Sequence, residues 1–374
     1  MANVLMVASV ERHFGAFHQP YIDLLNKMGH TVDTASHVPL GVSTRTGVRH
    51  QFSLPFHRSP WHAQNILVYR QLSHILDQGN YSLVQCNTPV ASVLTRLAAR
   101  KHRSNGLKVM YVAHGFHFFR GAPIVNWATY YPIERALAHI TDLIVTINRE
   151  DYARAQSFRS CAVSYVPGMG VDIHRFASSG ADRDTVRRDI GVPSEALLLL
   201  SVGEVNENKN HAVIIRALAR LKRSDIHYAI AGDGPLLERL RELINRSGLS
   251  LNVHLLGFRT DIDALLHSSD IFCFPSRREG LGVSALEAMA SGLPLITSNV
   301  HGINDYAKQA YDALTIAPND VAAAAAAIQQ FDSDSSMRKA FGERAKEMVS
   351  QFDISNTLQC MATQYTRLLG DNEA

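Results

Sequence analysis

Two carboxylates and two glycines are spaced as a ligand carrying both phosphate and sugar would require. Glu279 and Glu287 lie about two helical turns apart on nearly the same face, and Gly280 and Gly282 stand between them. The apolar run Ile271–Phe274 and the helix formers that follow predict a strand, a loop and a helix. The glycines let backbone approach a ligand, and first-turn amides bind phosphate, whereas carboxylates accept hydrogen bonds from hydroxyls. The glycines and the strand argue against the alternative, a solvated helix face.

This stretch closely resembles the signature of the retaining nucleotide-sugar glycosyltransferases of family 4, and the resemblance extends over most of the chain. The matching residues are Glu279-Gly280-Leu281-Gly282 and Glu287-Ala288-Met289-Ala290-Ser291-Gly292-Leu293-Pro294. The resemblance implies that Glu279 contacts the transferred sugar and that Glu287 binds the ribose hydroxyls. Leu281, Gly282 and Val283 would hold the diphosphate at the start of the helix. It also implies the GT-B fold, in which two Rossmann-like doubly wound parallel-sheet domains face a cleft.

Composition predicts a folded protein with two domains and no membrane-spanning segment. A chain of 374 residues is long for one core, and 46% hydrophobic against 19% charged residues excludes a disordered chain. No apolar run approaches the ~20 residues that span a bilayer. The start of the chain lacks a basic leader, so we expect no signal peptide and a cytoplasmic protein. The cysteines lie far apart, mostly in apolar runs, and are expected to be buried free thiols.

Short apolar runs alternate with helical patterns in both halves, which predicts an α/β fold with two parallel sheets. The predicted strands are Val4–Val10, Thr31–Ser36, Leu83–Asn87, Val109–Ala113, Leu143–Thr146, Val163–Val166, Leu197–Val202, His227–Ala231, Val253–Leu256, Ile271–Phe274, Pro294–Thr297 and Leu314–Ile316. The glycine-rich turn at 166–172 resembles the family's interdomain hinge. We expect an acceptor-binding domain at 1–170, a nucleotide-sugar-binding domain at 171–353 and, by resemblance, a helix at 354–374 that crosses back onto the first domain.

Charge is divided unevenly between the halves. Up to Arg175 the chain carries 17 basic and 9 acidic residues, a net +8, and 13 of the 18 histidines, while the remainder carries −5. This asymmetry predicts an anionic partner for the first half, either an acidic membrane surface or a lipid-linked diphosphate. We expect no nucleic-acid partner. The aromatic residues from Phe116 to Tyr130 could dock on lipid head groups together with basic residues of the preceding helix, unless those are an ordinary solvated helix end. The basic residues are Arg96, Arg100, Lys101 and Arg103.

Two loops at predicted strand ends of the first half carry further candidates. Gly15 stands alone, so its loop is not a dinucleotide fingerprint and the glycine could serve the turn only. By resemblance, Gly15 lies beside the donor diphosphate and His114 contacts the transferred sugar. A buried structural histidine is the alternative for His114 and for His117. The neighbouring residues His13, Phe14, Phe116 and His117 are assigned to the acceptor or membrane side.

The first loop of the second half departs from the commoner family pattern. Gly203, Glu204, Asn208 and Lys209 follow its first strand, and Glu204 stands where the family usually has Arg, while Lys209 matches the second cation of that pair. The missing charge could come from Arg277 or Arg278. By resemblance, Phe258 and Arg259 meet the nucleotide base, with Arg259 the better stacking candidate.

Three Asp-x-Asp triplets invite comparison with metal-dependent enzymes, and we reject them as metal sites. They are Asp261/Asp263, Asp182/Asp184 and Asp332/Asp334. The first opens a predicted helix, where acidic residues favour the first turn, and the others lie in polar connections. The sequence therefore predicts no metal and no cofactor.

The resemblance implies a retaining glycosyltransferase that moves a hexose or N-acetylhexosamine from a nucleoside-diphosphate donor, which we expect to be UDP-linked, to a hydroxyl. The acceptor would be a lipid-diphosphate-linked saccharide in exopolysaccharide, capsule or O-antigen synthesis, with the protein peripheral on the inner face of the cell membrane. The catalytic candidates are His114, Glu279 and Lys209. Two alternatives stay open: a nucleotide-sugar 2-epimerase of the same architecture, and an inactive nucleotide-sugar-binding protein, since Glu204 replaces an expected cation.

Overall fold

The computed structural model describes residues 1–39, 41–57, 59 and 62–370, and the chain divides into two compact units. The first unit comprises Met1–Met169 together with the segment that begins at Ser355, and the second comprises Gly170–Ile354. Each unit contains one parallel sheet with helices packed on it. The predicted fold class, two doubly wound α/β domains, is confirmed.

In the described part of the first unit the sheet has seven parallel strands in the order β3-β2-β1-β4-β5-β6-β7. Their bounds are β1 Asn3–Val10, β2 Thr31–His37, β3 Val48–Ser53, β4 Leu83–Cys86, β5 Lys108–Ala113, β6 Leu143–Thr146 and β7 Ala162–Tyr165. The central strand β1 is almost wholly buried, with Val4 opposite Val32 on one side and Leu83 on the other. Strand order reverses at β1, so the carboxyl end of β1 is where such a fold places a ligand.

The strand β3 is the one that sequence did not predict. Its residues, Val-Arg-His-Gln-Phe-Ser, lack an apolar run because β3 is a half-exposed edge strand. Arg49 of β3 forms an ion pair of 2.6 Å with the buried Asp33 of β2, and Tyr81 donates a hydrogen bond to the same carboxylate. Tertiary pairing rather than local hydrophobicity therefore defines this strand.

Helices of the first unit connect these strands. They are α1 Glu11–His13, a π-helix Phe14–His18, α2 Gln19–Lys27, α3 Gln64–Gln78, α4 Pro89–Ala99, a 3-10 helix Arg100–Asn105, α5 Ile124–Ala138 and α6 Arg149–Gln156. The last helix of the chain, Ile354–Leu369, buries Thr357, Met361 and Tyr365 at four-residue spacing. Tyr365 hydroxyl and Gln85 Oε1 lie 2.7 Å apart, which ties this helix to the sheet of the first unit.

Within residues 170–354, all of them described, six parallel strands form the second sheet in the order β10-β9-β8-β11-β12-β13. Their bounds are β8 Leu197–Val202, β9 Ile226–Ala231, β10 Val253–Gly257, β11 Ile271–Phe274, β12 Leu295–Ser298 and β13 Ala313–Ile316. The predicted strands of both halves are confirmed, with ends shifted by at most one residue.

The helices of the second unit pack on both faces of this sheet or continue from it. They are α7 Ile173–Ala177, α8 Arg183–Asp189, α9 Ala212–Leu221, α10 Leu237–Arg246, α11 Ile262–His267, α12 Val283–Ala290, a 3-10 helix His301–Asp305, α13 Val321–Ser333, α14 Ser335–Val349 and a 3-10 helix Ser350–Phe352. The final helix Ile354–Leu369 is α15. Several aspartates of the Asp-x-Asp triplets serve these helices: Asp182 and Asp334 cap α8 and α14.

Candidate active site

The predicted strand, loop and helix are β11, the loop 275–282 and α12. Gly282 adopts a positive φ of 97° as the N-cap residue of α12, a conformation that favours glycine. A side chain there would also collide with the Phe274 ring, 2.5 Å from an added Cβ. Gly282 therefore lets the loop that follows β11 turn sharply into α12, whose first-turn amides have no intrahelical partner.

A second close contact fixes the position of Glu279. Gly302 packs so tightly against the loop 275–282 that an added Cβ would lie 1.9 Å from the Gly280 carbonyl oxygen. Its amide donates a hydrogen bond of 3.1 Å to the Glu279 carbonyl. Leu281 is buried beneath the same loop. Backbone contacts thus hold the loop, which leaves the Glu279 side chain to meet other partners.

The Glu279 carboxylate forms an ion pair with Lys209. Lys209 Nζ lies 2.8 Å from Glu279 Oε1 and 4.4 Å from the centroid of the Phe274 ring. The side-chain amide of Asn208 donates to the Arg278 carbonyl at 2.8 Å and lies 3.5 Å from Glu279 Oε1. Three predicted site residues, Lys209, Asn208 and Glu279, are therefore in direct contact although about 70 residues separate them in sequence.

Glu287 of α12 has a different environment. Its carboxyl is half-buried, and burial raises its pKa to about 7, while the nearby Arg175 guanidinium of α7 opposes that rise. A carboxyl in this state gains from hydroxyl groups that donate hydrogen bonds to its ionised form. That property suits the predicted contact with ribose hydroxyls.

The loop after β8 is compact because two glycines meet there. Gly203 and Gly232 have φ values of 149° and 156°, and an added Cβ at Gly232 would lie 2.0 Å from the Gly203 carbonyl oxygen. Lys209 lies over Gly203, 3.1 Å from an added Cβ. Glu204, which replaces the expected cation, is exposed.

Of the two arginines that could replace the missing charge, Arg277 is exposed and lies 3.5 Å from Glu207. Arg278 is half-buried, and its carbonyl is bound by Asn208. The backbone of Arg278 is thus anchored in the same network as Lys209. We consider Arg278 the better positioned of the two.

Phe258 and Arg259 follow β10, as predicted, and the structure reverses their order of merit for stacking. The Arg259 guanidinium makes two hydrogen bonds to Asp261, of 2.8 and 2.5 Å. Phe258 is 76% exposed, and its amide donates to the Asp233 carboxylate, which fixes the backbone but leaves the ring free to stack. Asp261 is therefore a partner of Arg259.

In the first unit, Gly15 lies on the π-helix at the carboxyl end of β1. The Arg45 guanidinium lies beside it, 3.2 Å from an added Cβ, and forms an ion pair of 2.8 Å with the buried Glu11. No sequence pattern pointed to Arg45, which belongs to a loop 30 residues further on. A cation therefore stands next to the glycine for which the resemblance implies a diphosphate contact.

His114 follows β5 and lies among other histidines. Its ring centroid is 4.9 Å from that of His13 and 5.2 Å from that of His18. Burial lowers the pKa of His13 to about 4, with help from Arg12, and lowers the pKa of His114 and His18 well below the usual range. All three imidazoles are thus neutral at pH 7, so His114 is suited to hydrogen bonding rather than to carrying charge.

Two of the residues assigned to the acceptor or membrane side are wrong as surface contacts. Phe14 is wholly buried, and Phe116 is 2% exposed and stacked on Phe118. The aromatic spacing after β5 serves a core layer beside α5 rather than a surface. His117 is half-buried and stacks on Tyr130 with ring centroids 4.6 Å apart.

The prediction that Arg96 contacts lipid head groups is wrong, and two of the three other basic residues predicted with it are already paired with carboxylates. Arg96 is wholly buried, with its guanidinium 2.7 Å from Glu134 and 4.4 Å from the centroid of the Tyr111 ring. Lys101 forms an ion pair with Asp77, and Arg103 forms one with Asp142. Arg100 is exposed.

Sequence analysis missed three residues that lie beside the candidate site residues. Tyr306 is wholly buried, and its hydroxyl, which has no hydrogen-bond partner among the described residues, lies 3.1 Å from an added Cβ at Gly282. Burial raises its pKa, and Glu279 and Asp305 raise it further. Arg175, beside Glu287, is the second such residue, and His18 is the third.

Comparison with known proteins gives matches along the whole chain. Residues 182–348 match the family described as Glycosyl transferases group 1, and residues 22–175 match the family described as Glycosyltransferase Family 4. EpsD of Bacillus subtilis (strain 168), a protein assigned to the glycosyltransferases, is 36% identical over 97% of this chain and 96% of its own length. The UDP-Gal:alpha-D-GlcNAc-diphosphoundecaprenol alpha-1,3-galactosyltransferase of Escherichia coli is 28% identical over 67% of this chain and 66% of its own.

Solved structures share the fold. Anabaena Alr3699/HepE, in complex with UDP and glucose, aligns over 98% of this chain and 100% of its own with a TM-score of 0.81 at 18% identity. In the described part of this chain, moreover, no helix has both the length and the apolar character needed to cross a membrane.

Proposed function

The chain belongs to the GT-B glycosyltransferases of family 4, and on that premise we propose that it transfers a hexose or N-acetylhexosamine from a UDP-sugar to a hydroxyl, with retention of configuration. The acceptor is a lipid-diphosphate-linked saccharide of exopolysaccharide synthesis. The observation that carries the donor half is the contact of Lys209 with Glu279 beside the Gly282 turn, with Glu287 on the same helix.

When the donor binds, Lys209 breaks its ion pair with Glu279 and binds the diphosphate instead. A diphosphate carries more negative charge than one carboxylate and draws the ammonium from its 2.8 Å contact. Glu279, released, then accepts hydrogen bonds from hydroxyls of the transferred sugar. The ion pair thus keeps both groups in place and exchanges one partner for another when the donor binds.

The remaining donor contacts follow from the second unit. First-turn amides of α12, at Val283 and its neighbour, meet the diphosphate where charge develops on the leaving group. The Glu287 carboxylate accepts hydrogen bonds from the ribose hydroxyls, and the exposed Phe258 ring stacks on the nucleotide base. By the family resemblance His114 contacts the transferred sugar, and the acceptor attacks from the side of the leaving group.

Two relatives support the chemical identity of the substrates. The Escherichia coli relative is named for a UDP-sugar donor and a diphosphoundecaprenol-linked acceptor. The Anabaena structure of the same fold contains UDP and glucose. EpsD, matched over nearly its full length, supports glycosyl transfer as the reaction.

A radiolabelled UDP-sugar, incubated with and without a polyprenyl-diphosphate saccharide, tests the proposal. Label in the lipid fraction only when both enzyme and acceptor are present is the expected result. Conversion of the donor sugar to its 2-epimer without acceptor would support the epimerase instead, and binding without any product would indicate an inactive protein.

Two variants separate the roles of the acidic residues. Glu279→Ala should mainly lower kcat, because contacts to the moving sugar tighten in the transition state, whereas Glu287→Ala should weaken nucleotide binding. Calorimetric titration with UDP measures the second effect and initial rates the first. Equal loss of UDP affinity in both variants would contradict this division.

The membrane partner is best supported by an apolar surface on α5 rather than by the basic residues predicted from sequence. Ile124 is 86% exposed and Val125 62% exposed, in the first turn of that helix. Leu97 of the adjacent α4 and Ile133 of α5 are also exposed. We define Ile124 and Val125 as the α5 surface, and we propose that it inserts among acidic lipids, to which the exposed Arg100 of the same unit is attracted.

Burial of an aliphatic side chain contributes roughly 2 kcal/mol and each unpaired basic residue about 1 kcal/mol. We therefore expect binding to acidic vesicles that salt weakens only in part. Ile124→Ser/Val125→Ser should reduce co-sedimentation, whereas Leu251→Ser, a matched change at a residue 84% exposed in the second unit, should not. If both variants bound the vesicles equally, the proposal that the α5 surface binds membranes would be refuted.

A further inference from the structure

Three imidazoles of the first unit converge on one point. His13 Nδ1 lies 3.1 Å from His18 Nε2, and His114 packs edge-on against both rings. Among the described residues, this is the only group of three or more His, Cys, Asp or Glu side chains whose ligand atoms lie close enough to share a metal ion, here within 4.8 Å of one another. We propose that His13, His18 and His114 form a zinc site.

The backbone is built to bring two of these ligands together. In an α-helix, residues five apart point in clearly different directions. Between His13 and His18 the chain instead forms a π-helix, in which the Gln19 amide donates to the Phe14 carbonyl five residues earlier. This wider turn places both imidazoles on one side, and such π segments occur mostly at functional sites.

The third ligand comes from the neighbourhood of another strand. His114 directly follows β5, and β5 is separated from β1 by β4 alone in the sheet. Both strands run in parallel, so their carboxyl ends meet at one edge. Residues 13 and 114, a hundred positions apart, thereby contact each other.

The histidine cluster contains ring nitrogen atoms that are available to ligate a metal ion. His114 Nε2 is buried and has no hydrogen-bond partner among the described residues, whereas His18 would ligate through Nε2, the atom that lies beside His13. A buried polar atom without a partner costs free energy, and a metal ion would bind such a lone pair. The three rings are also held neutral by burial, which is the form that ligates metals.

The ligand chemistry selects the metal. Three imidazoles without carboxylates favour zinc or a similar borderline ion over magnesium or calcium, which take oxygen ligands. Zinc bonds of about 2.0–2.1 Å place tetrahedral ligand atoms ~3.4 Å apart, close to the 3.1 Å between His13 and His18. His114 contributes the third ligand atom, which lies within 4.8 Å of the other two.

Zinc at this site would block sugar transfer rather than assist it. Once a metal engages His114 with its two neighbours, that imidazole is no longer available to a sugar hydroxyl. This consequence rests on the proposed function, because it takes His114 to be a sugar contact. The zinc site itself does not depend on it.

Titration of the full-length protein with zinc, in competition with a chromophoric chelator, tests the site. We expect one equivalent to bind and His18→Gln to lower the affinity at least ~100-fold, since even groups that only hydrogen-bond to a metal's ligands contribute about 10–100-fold. The control is His254→Gln, which removes a member of another close histidine pair, at 2.9 Å from His227, and should leave the affinity unchanged. Absence of saturable binding, or equal binding by His18→Gln, would overturn the proposal.

Two further measurements cover the remaining outcomes. X-ray absorption of the wild-type protein with one equivalent of zinc should show three imidazole nitrogens, and a sulfur or all-oxygen shell would overturn the site without any variant. Zinc should inhibit transfer by wild type but not by His18→Gln, and a chelator should reverse the inhibition. If the wild-type protein shows no transfer in the absence of zinc, the proposed function is refuted. The zinc titration would still decide whether the metal site exists.

Discussion

Replacing Glu287 by Gln should make the protein more stable at alkaline pH. Burial raises the pKa of this carboxyl from 4.5 to about 7, and Arg175 opposes the rise. The folded state therefore binds the Glu287 proton more tightly than the unfolded state does. It follows that stability contributed by this group falls as pH rises from 4.5 to about 7. Gln has the same shape and does not titrate, so it escapes this loss.

The magnitude follows from the same shift. A carboxyl whose pKa rises from 4.5 to about 7 would destabilise the folded state by about 3 kcal/mol once fully ionised. Because the side chain is only half-buried, solvent screening reduces the effect to ~1–2 kcal/mol. For a unit of this size, that corresponds to a melting-temperature difference on the order of 5 °C.

The assay is a thermal melt of wild type and Glu287→Gln across the pH range. We expect closely similar melting temperatures near pH 5 and a more stable variant near pH 8. Glu279→Gln is the matched control, because its carboxylate is compensated by Lys209 at 2.8 Å and its neutralisation leaves the ammonium unpaired. That variant should show no gain with pH.

Donor binding should move in the opposite sense to stability. Ribose hydroxyls donate to an ionised carboxylate, so affinity for a UDP-sugar should rise with pH in wild type and stay flat in Glu287→Gln. Calorimetry at the same pH values measures this. A variant that is destabilised at all pH values, or that keeps the wild-type pH dependence of affinity, would refute the reasoning.

Three further predictions concern other parts of the molecule. Arg96→Met should destabilise the protein by about 3–5 kcal/mol, because it leaves Glu134 buried and unpaired, and Arg96→Met/Glu134→Leu should recover much of the loss in urea unfolding. Gly302→Ala should lower transfer activity severely by displacing the Gly280 carbonyl, while Gly180→Ala, with open space around it, should not. Transfer should survive a chelator, since cationic and amide groups suffice for the diphosphate, and inactivation that magnesium or manganese restores would contradict this.

The sheets and the donor motif could be predicted because their signals are local. Strands buried on both faces appear as short apolar runs, and the Glu279 to Glu287 stretch combines glycines, helix formers and acids within one supersecondary unit. The contact of Lys209 with Glu279 also follows, because the loops after β8 and β11 lie at the same edge of one sheet. Parallel topology converts two local motifs into one site.

Arg96 shows where local signals mislead. A cluster of four basic residues at a helix end is typical of a solvated surface, yet Arg96 alone of the four points into the core. Its Nη2 donates to Glu134, 38 residues away, and to Ser92 one turn earlier. The small residues Ser92 and Ala99, one helical turn before and after Arg96, were the available hint, since they mark the same face of α4 as buried.

The histidine cluster could not be predicted because it depends on a backbone irregularity. Regular helical geometry would separate His13 and His18, and no residue pattern distinguishes a π turn from the α-helix on either side of it. Once the π turn is present, β-sheet topology delivers His114 to the same edge, and three imidazoles that look unrelated in sequence share one small volume. The feature that local propensity would not produce is thus the one on which the proposed zinc site depends, as expected where function rather than folding selects the backbone.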